Sequence, residues 1–171
     1  MLLAPLVRRS WAPRGQTPVF YQRGRHRQKV SIIAALSVSP RRGRVGFYCS
    51  LAPHLNVDTS WLVAFLHALA RHFRGSVILV WDRWTTHRSV AVRAFLERHP
   101  RFSVQLLPAY APELNPVEKV WGYLKLNPLA NLAATNAEEL ARIAGRHSRR
   151  LSRSPHLLRG FIRSCHLFSR L

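Results

Sequence analysis

The sequence has 171 residues, and its 47% of hydrophobic residues are enough to build one domain around a buried core. The charge is strongly unbalanced: 27 Lys and Arg face 7 Asp and Glu, the formal net charge is +20, and the first acidic residue is Asp58. This composition excludes a disordered basic tail, which would carry few apolar residues. The positive charge predicts a polyanionic partner, and the phosphate backbone of a nucleic acid fits this prediction best.

Other features of the composition narrow the class of protein further. Arg and His interrupt every apolar stretch before it reaches the ~20 residues of a membrane helix, so no membrane partner is expected. Cys49 and Cys165 lack the spacing of a zinc site or a disulfide framework. An arginine excess also arises in GC-rich genomes, so charge alone leaves the nucleic acid hypothesis open.

The first third of the chain is predicted to be a β-meander. Two short extended pieces, residues 6–11 and 17–21, flank a turn, and strands are predicted at residues 30–38 and 45–49. Basic residues fill the loops before and between these two strands, and they are either phosphate contacts or solvated turns. These candidate DNA-binding residues are Arg23, Arg25, Arg27, Lys29, Arg41, Arg42 and Arg44.

Helices and strands alternate in the remainder, which predicts an α/β fold with a mixed sheet and helices on its faces. The predicted order is a helix from residue 58 or 59 to 73, a buried strand at 77–81, a helix at 89–98 and a strand at 104–107. Helices are then predicted at 117–125, 136–150 and 155–168. Arginines of the last two helices are expected on several helix faces, where phosphate contact is also plausible.

Two acidic residues occupy positions that are typical of catalytic or ligand-binding side chains. Asp82 follows the apolar strand at its C-terminal edge, the position of ligand sites in open α/β sheets, and His87 lies close enough to share that crevice. Glu118 falls in the first turn of a helix that Asn115 caps and Pro116 begins. Each acid alone could serve an ordinary helix as a cap or first-turn charge.

Taken together, these two acids match a known pattern. Residues 107–121 read Leu-Pro-x-Tyr-x-Pro-x-Leu-Asn-Pro-x-Glu-x-x-Trp, and 35 residues separate Asp82 from Glu118. This segment closely resembles the surroundings of the last Asp-Asp-Glu triad residue in IS630-like and Tc1/mariner transposases, which are DDE superfamily endonucleases. The turn around Trp11, Pro13 and Gly15 is similar to the hairpin that follows the first catalytic strand in that family.

The resemblance implies a fold and a domain division. It implies an RNase H-like mixed sheet flanked by helices within residues 1–130, followed by a basic helical C-terminal extension at 131–171. In the family, the first triad Asp lies shortly before the turn, but residues 1–10 contain no acid. The first strand, an inner strand of the sheet, is therefore expected to be missing, as is a helix-turn-helix domain.

The resemblance also implies a reaction and its partners. Asp82 and Glu118 would be the catalytic residues and the ligands of Mg²⁺ or Mn²⁺, in a site where two cations lie about 4 Å apart, with His87 as an accessory residue. The partner would be double-stranded DNA at transposon ends and targets, in the bacterial cytoplasm at the nucleoid, and a homodimer is compatible. Without the first Asp, this chain alone is expected to be catalytically defective.

Two further hypotheses are a non-catalytic basic nucleic-acid-binding relic and an unrelated RNA-binding protein. The relic would keep the fold and bind through charge alone. An RNA-binding protein would not require the pattern at residues 107–121.

Overall fold

The structure is a computed structural model, and it describes residues 6–19, 21, 28–39 and 42–165. Strands and helices follow one another largely as the sequence predicts, with boundaries shifted by at most four residues except that α5 ends at Arg163; the last predicted residues of that helix, 166–168, lie outside the described residues. The strands are β1 (Val30–Ser39), β2 (Arg44–Pro53), β3 (Val77–Trp81) and β4 (Phe102–Leu106). The helices are α1 (Thr59–His72), α2 (Val90–Arg98), α3 (Pro116–Leu126), α4 (Ala137–Ser152) and α5 (Pro155–Arg163).

The strands form two pairs of opposite sense. β1 and β2 are an antiparallel hairpin in which Val30 faces Pro53, while β3 and β4 are parallel, with Val77 beside Phe102. Within the described residues, no strand joins the two pairs into one sheet. The expected absence of the family's first strand stays a prediction.

The N-terminal hairpin is a prediction that the structure corrects. The turn exists, with the Gln16 amide donating to the Pro13 carbonyl at 3.0 Å, but none of residues 6–19 forms a strand. The backbone groups there bond elsewhere: the Arg8 amide donates to Asn131 Oδ1 at 2.7 Å, and Asn131 Nδ2 donates to the Arg8 carbonyl at 3.0 Å. An isolated two-stranded hairpin is marginal in water, so these contacts prevail.

Among the described residues, three hydrophobic clusters hold the helices against the strands, and the smallest packs the start of α4 on β1 through Leu140 and Val30. Helices α3, α4 and α5 cover the β1–β2 hairpin around Phe47, Val120 and Leu158. Helices α1 and α2 cover β3 and β4 around Leu66 and Phe95, and this cluster also takes in Ile33 from β1, so the two strand pairs are neighbours.

Polar caps determine where the helices begin. The side chain of Asp58 accepts from the Trp61 amide at 2.8 Å at the start of α1, and Ser89 and Asn136 do the same for α2 and α4. At the other end of α1, the Arg101 guanidinium donates to the carbonyls of Ala70 and Phe73. These side chains satisfy helix-end groups that have no partner within the helix.

The C-terminal helices share a core with the residues before position 130. Ala144 and Leu151 of α4 and Leu158 of α5 pack in the same cluster as Phe47 of the hairpin. The division into residues 1–130 and 131–171 stays a prediction, and the packing joins both sides of that boundary. In the part of the chain that the structure describes, no helix is long and apolar enough to cross a bilayer.

Candidate active site

Asp82 directly follows the C-terminal end of β3, and the burial of this strand fixes its position. Val77, Leu79 and Trp81 point into the cluster beneath α1 and α2, while Ile78 and Val80 point outward and are exposed. The Leu107 amide donates to the Trp81 carbonyl at 2.9 Å and holds the ends of β3 and β4 together. The carboxylate therefore emerges beyond the carboxyl ends of two parallel strands, where such sheets bind ligands.

The two oxygens of the Asp82 carboxylate have different surroundings. Oδ1 accepts from the Trp84 amide at 3.0 Å and lies 3.2 Å from His87 Nδ1. Oδ2 has no hydrogen bond to any described residue, and the side chain is 59% exposed. One oxygen thus fixes the orientation of the carboxylate, and the other is open to a ligand.

His87 is held between two tryptophans. Its ring stacks on Trp81, with centroids 4.3 Å apart and planes 7° apart, and it meets Trp84 edge-on at 5.4 Å. Its side chain is 13% exposed. The His87 Nδ1 atom also lies 3.2 Å from the Asp82 carbonyl oxygen, so the ring can donate from Nδ1 to Asp82 and keep Nε2 as an acceptor.

A crevice of about 250 Å³ surrounds this pair of residues. Arg83, Arg88 and Arg93 contribute to its wall beside Asp82 and His87. Arg83 is anchored, because its Nε donates to the Leu107 carbonyl at 3.2 Å. An open carboxylate oxygen among guanidinium groups suits a cation and a phosphate together.

None of these three arginines was predicted as a site residue from the sequence. Arg83 and Arg88 directly follow Asp82 and His87 in the sequence, and this adjacency was the available signal. Arg93 reaches the crevice from α2 only through the packing of that helix on β3 and β4.

Glu118 lies in the first turn of α3, as predicted. The Asn115 side chain accepts from the Val117 amide at 3.1 Å, and Pro116 occupies the start of the helix. Glu118 is exposed, and its carboxylate forms no hydrogen bond or ion pair with the described residues. Asn115 therefore acts as a helix cap, and the Glu118 carboxylate is unoccupied by protein partners.

The crevice is not lined by Glu118, and the structure shows no contact between Glu118 and Asp82. The loop from Leu107 to Asn115 leads from the end of β4 to the helix that carries Glu118. At its start, this loop is bonded to β3 through the Leu107 amide and the Trp81 carbonyl. Near its end, the Cys165 thiol donates to the Leu114 carbonyl at 2.8 Å. Among described residues, no group of three or more His, Cys, Asp or Glu is placed to hold a metal.

The predicted DNA-binding residues have separate outcomes. Arg23, Arg25, Arg27 and Arg41 lie outside the described residues. Lys29 donates to Asn56 Oδ1, while Arg42 and Arg44 are exposed at the turn between β1 and β2. Arg159 of α5 joins that turn, because its Nη2 donates to the Gly43 carbonyl at 3.1 Å.

Comparisons with known proteins agree with this architecture. A family model described as DDE superfamily endonuclease matches residues 2–141. The Mos1 mariner paired-end complex with Mn is 17% identical with a TM-score of 0.62, and it covers 98% of this chain and 50% of the solved chain. The Mos1 strand transfer complex is 18% identical with a TM-score of 0.56, and it covers 97% and 49% respectively. No curated protein sequence matches significantly.

This chain spans about half the length of those two solved proteins. The structural likeness extends over almost all of its residues, and the family match covers well over half of them. The chain belongs to the DDE superfamily endonuclease family and has the fold of the Mos1 mariner transposase.

Proposed function

We propose that this chain is the catalytic domain of a DNA transposase of the Tc1/mariner or IS630-like kind. The observation that carries the proposal is the open oxygen of Asp82 at the end of β3, in a crevice lined by arginines. Membership of the DDE superfamily endonucleases supports the reaction class. Double-stranded DNA is the proposed partner, since the two solved relatives are named as paired-end and strand transfer complexes.

We propose that Asp82 and Glu118 bind Mg²⁺ or Mn²⁺. Both carboxylates are exposed, and hard divalent cations prefer oxygen ligands of this kind. A bound cation would supply activation of the attacking water or hydroxyl and stabilisation of the leaving oxygen. The Mos1 paired-end complex is named as containing Mn, which fits this choice of metal.

The protein groups around Asp82 have separate proposed roles. The Trp84 amide orients the carboxylate through Oδ1, with His87 Nδ1 3.2 Å from the same oxygen, which leaves Oδ2 for the cation. Arg83, Arg88 and Arg93 attract the DNA phosphate to the crevice and balance its charge. Glu118 lies in the first turn of α3, where its carboxylate is exposed and open to the cation.

We further propose that the 171-residue chain on its own does not cleave DNA. The reaction in the family depends on three carboxylates, and no acidic residue precedes Asp58 in this sequence. Mg²⁺-dependent nicking or strand transfer by the purified chain, abolished by Asp82→Ala, would contradict this part of the proposal. The nucleoid of a bacterial cell is the proposed place of action, and a homodimer stays a prediction.

Metal binding tests the proposal without requiring cleavage. Mn²⁺ titrations followed by electron paramagnetic resonance should show binding that weakens at least about tenfold in Asp82→Asn and in Glu118→Gln. Glu97→Gln is the matched control, because Glu97 is an exposed acid on α2 and its loss removes the same charge. The proposal fails if Asp82→Asn and Glu97→Gln bind Mn²⁺ with equal affinity.

A further inference from the structure

The C-terminal helices carry a concentrated positive charge. From residue 140 to the end of the sequence there are eight arginines and no acidic residue. The sequence predicts these arginines on several faces of the two helices. In the structure, the exposed arginines of α4 lie on one face of that helix. At 3.6 residues per turn, its four exposed arginines fall within an arc of roughly 100°, and they are Arg142, Arg146, Arg149 and Arg150.

The opposite side of α4 is buried against the hairpin. Ala144 and Leu151 lie in the cluster around Phe47, and Leu158 of α5 lies in the same cluster. Helices α4 and α5 both pack their apolar sides on this core, and the arginines of each helix are exposed. We call these exposed arginines the arginine face; it comprises Arg142, Arg146, Arg149 and Arg150 of α4 with Arg159 and Arg163 of α5.

The charges on the arginine face are largely unneutralised. Among the described residues, Arg142 alone of the six approaches an acid, with its Nη2 3.9 Å from Glu139 Oε1. Burial lowers the pKa of His147, and the positive charges of Arg150 and Arg146 lower it further. Like charges four residues apart on a helix cost stability, so a counter-charge supplied from outside would stabilise this helix.

The arginine face is separate from the candidate active site. None of its residues lines the crevice around Asp82. It also lies beyond the family match, which ends at residue 141. Arg159 connects it to the exposed turn of Arg42 and Arg44 through the hydrogen bond to the Gly43 carbonyl.

We propose that the arginine face is a second DNA contact, which binds the phosphates of duplex DNA outside the catalytic crevice and without reading sequence. Duplex DNA is favoured over other polyanions because this inference rests on the proposed transposase function. A surface of exposed guanidinium groups with few competing acids is suited to phosphate oxygens and would release condensed counterions on binding.

Salt-dependent binding of the full chain to a 30-base-pair duplex of arbitrary sequence tests the inference. The measurement is fluorescence anisotropy in EDTA, so that the metal site plays no part. The test variant is Arg142→Gln with Arg146→Gln and Arg150→Gln. The control is Arg71→Gln with Arg74→Gln and Arg98→Gln, which removes three equally exposed charges from the α1 and α2 region.

The expected result is a clear difference between the two triple variants. The test variant should bind roughly 100-fold more weakly at 0.1 M salt, and its slope of log affinity against log salt should be shallower by about 3. The control should keep most of the wild-type affinity and slope. Equal losses in both variants would overturn the inference, because net charge alone would then explain binding.

Two further outcomes are informative. Equal or tighter binding of a matched RNA duplex through the same arginines would overturn the assignment to DNA. Mn²⁺ binding that is unaffected by Asp82→Asn would contradict the proposed catalytic site. It would not affect the test of the arginine face, because the anisotropy is measured in EDTA. Thermal melts of both triple variants establish that each is folded.

Discussion

At the scale of single residues, the sequence predicted chemical groups better than their contacts. Asp82 was recognisable because an apolar strand ends at it, and the cap at Asn115 because Pro116 follows it. The position of His87 between Trp81 and Trp84 was not predictable, since it depends on the 3-10 turn Thr85–Arg88 that folds the ring back onto β3. The metal-binding roles of Asp82 and Glu118 remain predictions.

Arg101 illustrates a contact that carries a stability prediction. Its guanidinium donates to the Ala70 and Phe73 carbonyls at the end of α1, where unpaired carbonyls and the helix dipole both favour a positive charge. Arg101→Gln should lower the free energy of unfolding by about 2 kcal/mol, measured by urea denaturation.

Arg98→Gln is the control for that measurement. Arg98 is exposed at the end of α2, so its substitution should change the unfolding free energy by less than about 0.5 kcal/mol. Similar effects of the two substitutions would show that Arg101 does not cap α1.

At the scale of elements, helix starts were predictable to within one residue because the signals that begin a helix are local. The N-terminal hairpin was not predictable, because strands require partners that often lie far along the chain. Leu6 and Arg8 form hydrogen bonds with Asn131, more than 100 residues away, and no local sequence pattern predicts that contact.

The start of α4 gives a pH-dependent prediction. The Glu139 carboxylate accepts from the Thr135 amide at 2.8 Å and from its hydroxyl at 2.7 Å, and the amide bond is the main reason that the pKa of Glu139 is below its usual 4.5. A lowered folded-state pKa contributes stability above the unfolded pKa, and this contribution is lost as pH falls through the folded value.

Glu139→Gln isolates this charge, because glutamine keeps an acceptor oxygen at the same place. The wild type should therefore be more stable than the variant at pH 6, and the gap between their melting temperatures should close toward pH 3. Melting curves that stay parallel from pH 6 to pH 3 would contradict the role of the Glu139 charge.

At the scale of the whole molecule, the alternation of strands and helices predicted the α/β class, and the resemblance of residues 107–121 to the transposase motif implied the RNase H-like fold. Strand β3 has an exposed apolar side chain on its outer face, where Ile78 is 67% exposed. Among the described residues β3 pairs only with β4, and an exposed apolar strand with an unpaired edge promotes association between molecules.

Ile78→Thr should therefore reduce association without destabilising the fold. As the protein is concentrated, light scattering should show that the Ile78→Thr variant stays unassociated to a higher concentration than the wild type. Its melting temperature should be nearly unchanged. Leu79→Thr is the matched control, because Leu79 points into the cluster beneath α1 and α2, and its loss should cost about 1–3 kcal/mol. Equal destabilisation by the two substitutions would mean that Ile78 is buried in solution.

We propose that Asp82 and Glu118 bind the same metal centre. Fe²⁺ in place of Mg²⁺, with peroxide and ascorbate, generates hydroxyl radicals that cut the polypeptide beside the bound ion. Cuts are expected near both residue 82 and residue 118, suppressed by excess Mg²⁺ and lost at both places in Asp82→Asn. Cuts near only one of them, or cuts near 118 that persist in Asp82→Asn, would contradict this proposal.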